Sequence, residues 1–258
     1  MNIDLSGKKA LVGASTSGIG KAIAMQLAAS GARVTLMSRS LEKLESVKQS
    51  LSTENGQQHQ ILQVDFTDYA AFKSNITAYF VKNSVDILVN NTQGPPSGTA
   101  LEKKVEDYQQ AFDLLFKTVV LTTELALASM KEKQWGRIIN VASVSVKEPL
   151  SFLVLSNSIR AAVVTWAKSL ATEAGTFGIT VNSILTGYFN ITSLNAKKAK
   201  EQGVSEGEIL KQLEASVPVK RIGDPAEYGY LVAFLASDRA GYITGTQIPI
   251  DGGKLNSL

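Results

Sequence analysis

Apolar segments of two kinds alternate along the whole chain, and this alternation limits its possible folds more than any other feature. Short runs of aliphatic and β-branched residues predict strands, and apolar residues three and four positions apart predict helices. Strands are predicted at 9–13, 33–37, 60–64, 86–90, 137–141, 179–185 and 246–250, and the longest helix at 104–131. Strands that alternate with helices form parallel sheets covered on both faces. We therefore predict an α/β fold with a doubly wound parallel sheet in three layers.

The chain of 258 residues shows no internal repeat, low-complexity tract or Pro/Ser-rich linker. A chain of this length buries roughly 70 to 75% of its unfolded surface in one core. We therefore predict a single domain over residues 1–258. The polar, lysine-rich segment at about 190–218 contains Gly203 and Gly207, which predicts a mobile lid beside the functional site.

Composition excludes several kinds of chemistry. The chain has no Cys and one His, His59, which argues against disulfides, thiolate nucleophiles, histidine-based triads and metal sites. The 26 basic and 23 acidic residues are interleaved and give a net charge of +3, so neither nucleic acid nor a membrane surface is a predicted partner. No apolar run approaches the roughly 18 residues of a membrane span, and we expect a cytoplasmic protein.

A short turn of small residues links the first predicted strand to the first helix. Gly18 and Gly20 allow the backbone to approach a pyrophosphate, which then lies on the N–H groups and positive dipole of the helix start. The place of this motif at the start of an alternating chain raises its weight; the alternative is a tight turn without a ligand. The residues predicted to hold the phosphates are Ala14, Ser15, Ser17, Gly18, Ile19 and Gly20.

The end of the second predicted strand indicates which dinucleotide fits. An acidic residue here binds the ribose hydroxyls of NAD, whereas a basic residue accepts the additional phosphate of NADP. In this chain the strand runs into Ser38 and Arg39 without an acid. The sequence therefore favours NADP(H), with Arg39 on the additional phosphate; the alternative is that Arg39 is a solvated loop charge.

Several longer segments resemble the short-chain dehydrogenase/reductase family. They are Ile-Ile-Asn-Val-Ala-Ser at 138–143, Leu-Ser-Asn-Ser-Ile-Arg-Ala-Ala-Val at 155–163, Val-Asn-Asn at 89–91 and the tail at 242–253. The resemblance covers essentially the whole chain, and the tail is similar to that of 3-oxoacyl carrier-protein reductases. It implies a Rossmann-type fold and NADP(H)-dependent redox chemistry at a carbonyl or hydroxyl group. It also implies a small-molecule or acyl-thioester substrate and a homotetramer.

The resemblance assigns further residues to the cofactor site. Asp65 and Phe66 follow the third strand, at the family's adenine contact, and Asn91 follows the fourth strand beside the ribose. Gly187 belongs to the segment that borders the nicotinamide. The alternative is that an Asp or Thr of this segment, 65–68, caps the next helix.

Two positions of the cofactor site depart from the family pattern. Ala14 and Gln93 stand where the family has glycine. The alanine is strained if its backbone φ is positive, and it costs little if the backbone is extended. Gln93 leans towards the cofactor channel unless the turn shifts to use Gly94; alternatively it is part of a loop stiffened by two prolines.

The catalytic positions depart further. Ser143 matches the family's serine, but Ser156 and Arg160 replace the tyrosine that donates a proton and the lysine that holds the nicotinamide ribose, and Leu115 replaces an asparagine. A serine hydroxyl is a far poorer acid than tyrosine, and Arg does not deprotonate in proteins. Loss of a general acid slows catalysis by about 10²- to 10⁴-fold. We therefore expect a slow or unusual oxidoreductase in which Ser143 and Arg160 stabilise an alkoxide and solvent delivers the proton.

Other interpretations of these residues stay open. Tyr188 and Lys147 are candidate replacement acids, and the alternative is that both line the rim or lid of the site. Ser156 has an alternative role as a helix cap and Arg160 as a cation on the helix surface. A rival function is a catalytically silent member of the same fold that binds a nucleotide or acyl ligand as a sensor, scaffold or hetero-oligomer subunit. A third is a non-redox lyase or isomerase, since fold does not specify reaction.

Overall fold

Seven strands form one parallel sheet in the computed structural model, which describes residues 3–191, 199–200 and 203–257. The spatial order is β3-β2-β1-β4-β5-β6-β7. Chain connections therefore reverse direction between β1 and β4, which is where open α/β sheets bind ligands. The strands are β1 Lys9–Val12, β2 Arg33–Ser38, β3 Gln60–Gln63, β4 Ile87–Asn90, β5 Gly136–Ser143, β6 Ile179–Thr186 and β7 Gln247–Ile250.

Helices cover both faces of the sheet and complete the three layers. One apolar cluster joins α1, α2 and α8 to the sheet, and a second joins α3, α4, α5 and α6 to the opposite face. The helices are α1 Gly18–Ala29, α2 Leu41–Ser50, α3 Tyr69–Lys82, α4 Val105–Phe112, α5 Thr118–Lys133, α6 Val154–Ala174, α7 Glu206–Ala215 and α8 Pro225–Ala236. The predicted three-layer α/β fold is therefore confirmed.

The helix predicted at 104–131 is interrupted. Between α4 and α5 the segment Asp113–Lys117 forms a π-helical turn, and its Leu115 is buried against α6 and the sheet. Such turns are rare and are frequent at functional sites. The interruption lies opposite the catalytic positions and places Leu115 there.

The carboxyl edge of β5 and β6 carries the site. Eight residue pairs join the two strands, and the last pair is Ser143 beside Thr186. Paired residues of parallel strands point to the same face of a sheet, so the hydroxyls of Ser143 and Thr186 lie side by side. The carboxyl ends of β5 and β6 thus contribute neighbouring polar groups.

A backbone bridge holds the loop after β4 over the start of α6. The N–H of Gly98 donates to the carbonyl of Phe152 at 2.7 Å, and the N–H of Val154 donates to the carbonyl of Gly98 at 3.3 Å. This pairing fixes the loop on one side of the site. On the other side, the predicted lid at 190–218 includes residues 192–198 and 201–202, which lie outside the described residues, and the lid stays a prediction.

Candidate active site

The turn after β1 brings its backbone close to the start of α1. A Cβ atom on Gly20 would collide with the carbonyl oxygen of Ala14 and would lie 2.7 Å from the amide nitrogen of Asn91. Gly18 has φ +51°, a conformation that side-chain-bearing residues rarely adopt. The glycines therefore keep open a concave backbone surface at the helix start.

Ala14 occupies a left-handed backbone conformation. Its φ is +44°, and for a residue with a Cβ this conformation costs about 1 to 2 kcal/mol. The strained alternative considered from the sequence is therefore the one that the structure shows. The strain is retained because the adjacent turn is held on both sides by hydrogen bonds.

Two of those bonds anchor the turn to neighbouring strands. The buried Ser15 donates from its N–H to the carbonyl of Met37 at 3.1 Å. The side chain of Asn91 donates to the carbonyl of Gly13 at 3.0 Å. Ser15 and Asn91 thus shape the turn, and Ile19 is buried in the core beneath it.

The start of α1 is free to receive an anion. Its cap residue, Ser17, is exposed and makes no side-chain capping bond, and no acidic residue lies in the first turn. The first N–H groups of a helix lack intrahelical partners and attract negative charge. The open glycine surface and this helix start together fit a dinucleotide pyrophosphate.

At the end of β2, Arg39 is exposed and forms no ion pair with any carboxylate in the described part of the chain. Asp65 follows β3, and one of its oxygens accepts bonds from the N–H and hydroxyl of Thr67 at 2.9 and 2.6 Å. These bonds, and to a smaller extent the charge of Arg39, lower the pKa of Asp65. A cation without an ion pair and an ionised carboxylate therefore follow the neighbouring strands β2 and β3.

The segment after β3 also caps α3. The cap is Asp68, whose carboxylate accepts from the N–H of Ala71 at 3.0 Å, so the capping role predicted for an Asp or Thr of this segment belongs to Asp68 and not to Asp65. Phe66 is buried, with its ring 5.3 Å from that of Phe72. Phe66 therefore offers its backbone, and not its ring, to a ligand.

The helix α6 carries the two substituted catalytic positions. Leu155, Ile159 and Val163 are buried at four-residue spacing and fix the helix against the sheet. Ser156 and Arg160 each follow one of these residues and lie on one side of the helix, four positions apart. The buried stripe thus directs both side chains to the carboxyl edge of β5.

Arg160 is bound at that edge. Its Nε donates to the hydroxyl of Ser156 at 3.2 Å, and its Nη1 donates to the carbonyl of Val141 at 2.6 Å. The helix cap lies at Leu153, so the capping alternative for Ser156 is wrong, and these bonds place Arg160 at the strand end rather than on the outer helix surface. Ser143 lies two residues beyond Val141 and accepts from the N–H of Ser145 at 3.1 Å. Its own proton remains available to a ligand.

Burial affects the charges at this edge. The guanidinium of Arg160 is surrounded by protein atoms, which lowers the pKa of Arg160, while the nearby Tyr228 acts in the opposite direction. Arg nevertheless stays protonated in proteins. The site therefore contains a permanent positive charge.

Tyr228 is a residue that the sequence analysis did not single out. It lies on α8, is fully buried, and its hydroxyl is 3.0 Å from the hydroxyl of Thr186, the partner of Ser143 in the sheet. Burial raises the pKa of Tyr228, against smaller opposing effects of Thr186 and Arg160. A tyrosine among the apolar residues of a helix is typical of the hydrophobic core, so no sequence signal marked Tyr228 as part of the site.

The structure positions the two candidate replacement acids through their backbones. The carbonyl of Tyr188 accepts from the N–H of Gly223 at 2.9 Å, and Gly187, before it, donates to the carbonyl of Ile250 at 3.1 Å. Lys147 closes the turn after β5 by donating its N–H to Val144. Within the described ranges, the side chain of Lys147 forms no hydrogen bond with Ser143 or Arg160.

A small cavity lies behind Arg160. It leaves about 10 Å³ for the centre of a water molecule, and Leu115, Asn140 and Arg160 are among its lining residues. Asn140 is 1% exposed, and its side-chain nitrogen has no hydrogen-bond acceptor in the part of the chain that the structure describes. The space is enough for one water molecule.

Within the described ranges, no cluster of acidic residues and histidine is suited to a metal ion. Over the same ranges, no helix combines the length and apolar character required to cross a membrane. Gln93 is exposed in an irregular loop, and the neighbouring Gly94 faces open space.

The parallel sheet, the glycine turn and the polar carboxyl edge define a Rossmann-type α/β protein. The family model described as Enoyl-(Acyl carrier protein) reductase matches residues 13–254. The chain therefore belongs to the short-chain dehydrogenase/reductase family, which confirms the resemblance found in its motifs.

Individual relatives span the same length. Oxidoreductase UcpA of Salmonella typhimurium is 34% identical over 255 residues, covering 97% of this chain and 95% of the relative. The 3-oxoacyl-[acyl-carrier-protein] reductase FabG of Aquifex aeolicus is 30% identical over 254 residues, covering 98% and 99%. The structure of L-sorbose reductase from Gluconobacter frateurii complexed with NADPH and L-sorbose superposes with a TM-score of 0.92 at 29% identity, with 100% of both chains covered.

Proposed function

We propose that this protein is an NADP(H)-dependent oxidoreductase that interconverts a carbonyl and a hydroxyl group with an atypical active site. The observation that carries the proposal is the position of Arg160, which Ser156 and the carbonyl of Val141 hold at the end of the strand that carries Ser143. This arrangement sets a fixed positive charge and a free hydroxyl proton where the family performs its chemistry. Membership of a family whose relatives are oxidoreductases supports it.

The cofactor fits the described residues at several points. The turn at 13–20 would hold the pyrophosphate, and Arg39 would pair with the additional phosphate of NADP. Asp65 and the backbone of Phe66 would contact the adenine. Asn91, Gly187 and Arg160 would bind the nicotinamide ribose. The cofactor supplies a hydride, and the bound NADPH of L-sorbose reductase supports this choice of dinucleotide.

The side chains stabilise negative charge better than they deliver protons. Ser143 donates a hydrogen bond to the substrate oxygen, and the charge of Arg160 stabilises the alkoxide as it forms. Ser156 is too weak an acid to replace tyrosine, so the proton comes from solvent or from another side chain, such as Tyr188. The absent general acid adds about 3 to 5.5 kcal/mol to the barrier.

The substrate belongs to the small carbonyl compounds or acyl thioesters, as the similarity to FabG suggests. Assembly as a homotetramer is part of the same proposal, by analogy with the family. A lid formed by residues at about 190–218 would close over the substrate.

A second candidate function is a silent protein that binds the nucleotide without turnover. The strained Ala14 and the replacement of both catalytic side chains favour it. Both functions require a nucleotide complex, so only an assay of turnover distinguishes them.

The experiment that tests the proposal is a calorimetric titration with NADPH and, in parallel, NADH, followed by a carbonyl-reduction assay. We expect a dissociation constant near micromolar for NADPH, at least about tenfold weaker binding of NADH, and slow turnover. Absence of binding at millimolar NADPH would overturn both functions. Binding without turnover of any carbonyl compound would leave the silent protein.

A further inference from the structure

The guanidinium of Arg160 has more donors than the protein satisfies. It carries five N–H groups in a planar fork, and two bonds are formed, from Nε to Ser156 and from Nη1 to Val141. Both acceptors are neutral. The remaining donors face no acceptor in the described chain.

The charge of Arg160 also lacks a counter-ion. None of the ion pairs among the described residues includes it, and no Asp or Glu contributes to the shift of its pKa. Arg160 is half-buried, and a charge that is partly removed from water without a counter-ion is stabilised by an anion. Its remaining donors therefore offer a site for an anionic partner.

The cavity behind the guanidinium does not supply that partner. The cavity has room for about one water molecule. Such a neutral molecule would satisfy the side-chain amide of Asn140, which is buried and has no other partner among the described residues. A carboxylate is too large for the cavity. The anion therefore approaches the guanidinium from outside this cavity, where the hydroxyl of Ser156 accepts from Nε.

We propose that the substrate carries a carboxylate that pairs with Arg160. The substrate class is a free oxo acid and its hydroxy acid, in preference to the corresponding ester or thioester. A planar fork matches a carboxylate with two parallel hydrogen bonds. This inference rests on the proposed function for the redox step, whereas the anion site itself does not.

The test compares two substrates of the same carbon skeleton. Acetoacetate and methyl acetoacetate are assayed with NADPH on the wild type, Arg160→Gln, Arg160→Lys and the control Lys168→Gln, which removes an exposed cation from the same helix. We expect the wild type and Lys168→Gln to prefer the acid by about 30-fold or more in kcat/KM. Arg160→Gln loses this preference, and Arg160→Lys retains part of it. A preference for the ester in the wild type, or an acid preference that survives in folded Arg160→Gln, would overturn the proposal.

A second measurement covers variants that fail to fold. Acetate inhibits the wild type competitively against the substrate, and its neutral analogue acetamide does not; equal inhibition by both contradicts the anion site. Calorimetry with acetoacetate alone separates the two levels of the argument. If the protein binds acetoacetate but not NADPH, the redox function is refuted and the anion site at Arg160 stands. If the protein reduces only esters with NADPH, the redox function stands and the anion site is refuted.

Discussion

Arg160 donates from Nη1 to the carbonyl oxygen of Val141 at 2.6 Å and thereby joins helix α6 to the carboxyl edge of strand β5. A charge-assisted bond of this length is among the stronger hydrogen bonds in proteins. The side chain has both a structural partner and donors left for a ligand. Its replacement therefore affects the geometry of the edge as well as its charge.

Restoring the family's pair is expected to accelerate the reaction. In Ser156→Tyr combined with Arg160→Lys, a tyrosine acid with a neighbouring lysine replaces the serine and arginine. We expect kcat for carbonyl reduction to rise by about 10²- to 10⁴-fold, measured with saturating NADPH. The single change Arg160→Lys serves as control and leaves the rate low. A double variant that folds and binds NADPH without any gain would show that a missing acid does not limit turnover.

Ala14→Gly relieves the backbone strain at φ +44°. We expect stabilisation by up to about 1 kcal/mol, because the gain exceeds the entropy that glycine adds to the unfolded chain. Chemical denaturation measures the difference. The matched control is Ala100→Gly in an exposed loop without a positive φ, where only the entropy cost remains and stability falls. Equal losses in both variants would count against the strain.

Arg39→Gln is expected to weaken NADPH binding by about tenfold or more and to leave NADH binding unchanged. The arginine is exposed and has no carboxylate partner within the described ranges, so its charge is available to a phosphate. Titration calorimetry at fixed salt gives both constants. Lys48→Gln, at the far end of α2 and paired with Glu45, is the control. Equal weakening of both cofactors would assign Arg39 no role in discrimination.

Glu227 predicts a dependence of stability on pH at the start of α8. Its carboxylate binds the guanidinium of Arg221 and the N–H of Asp224, and these bonds lower its pKa from 4.5 to about 2. A lowered folded-state pKa means that the stabilisation is complete above the unfolded value of 4.5 and is lost as the pH falls through about 2. Glu227→Gln is therefore expected to cost about 0.5 to 1 kcal/mol at pH 7, as for a lost helix cap.

The difference in stability between the wild type and Glu227→Gln is expected to disappear as the pH falls from 4.5 to about 2, because protonated Glu227 is as neutral as the glutamine. Thermal unfolding at several pH values measures it. Glu173→Gln, at an exposed position of α6, is the control and shows no such convergence. A penalty for Glu227→Gln that is constant with pH would exclude the charge as its cause.

The alternation of strands and helices was predictable because it depends on apolar periodicity, which is written directly in the sequence. Strand β5, for example, was expected at 137–141 and extends over Gly136–Ser143. The π-helical turn at Asp113–Lys117 was not predictable, because it depends on hydrogen-bond register rather than composition. The departures at Ser156 and Arg160 were visible in the motif, but their mutual bond required coordinates.

Residues whose roles depend on contacts between distant segments could not be recognised from the sequence. Tyr228 joins the edge through Thr186, which lies 42 residues earlier in the sequence, and no local pattern announces that contact. The sign of φ at Ala14 was left as two alternatives, because an alanine reveals nothing about its own backbone. The cap of α3 was left open among the Asp and Thr residues of 65–68, and the structure assigns it to Asp68, directly before the helix start at Tyr69.

The π-helical turn between α4 and α5 gives this part of the chain one residue more than an uninterrupted α-helix of the same span requires. Deleting a single residue there would convert the turn to regular α-helix without breaking the rod. The helices on the two sides would keep their relative orientation, because the turn already absorbs the additional residue, and only residues within the turn would change position about the helix axis. Leu115 would then lose its place in the wall of the cavity behind Arg160, so the lining of the catalytic edge depends on one additional residue in the helix that carries Leu115.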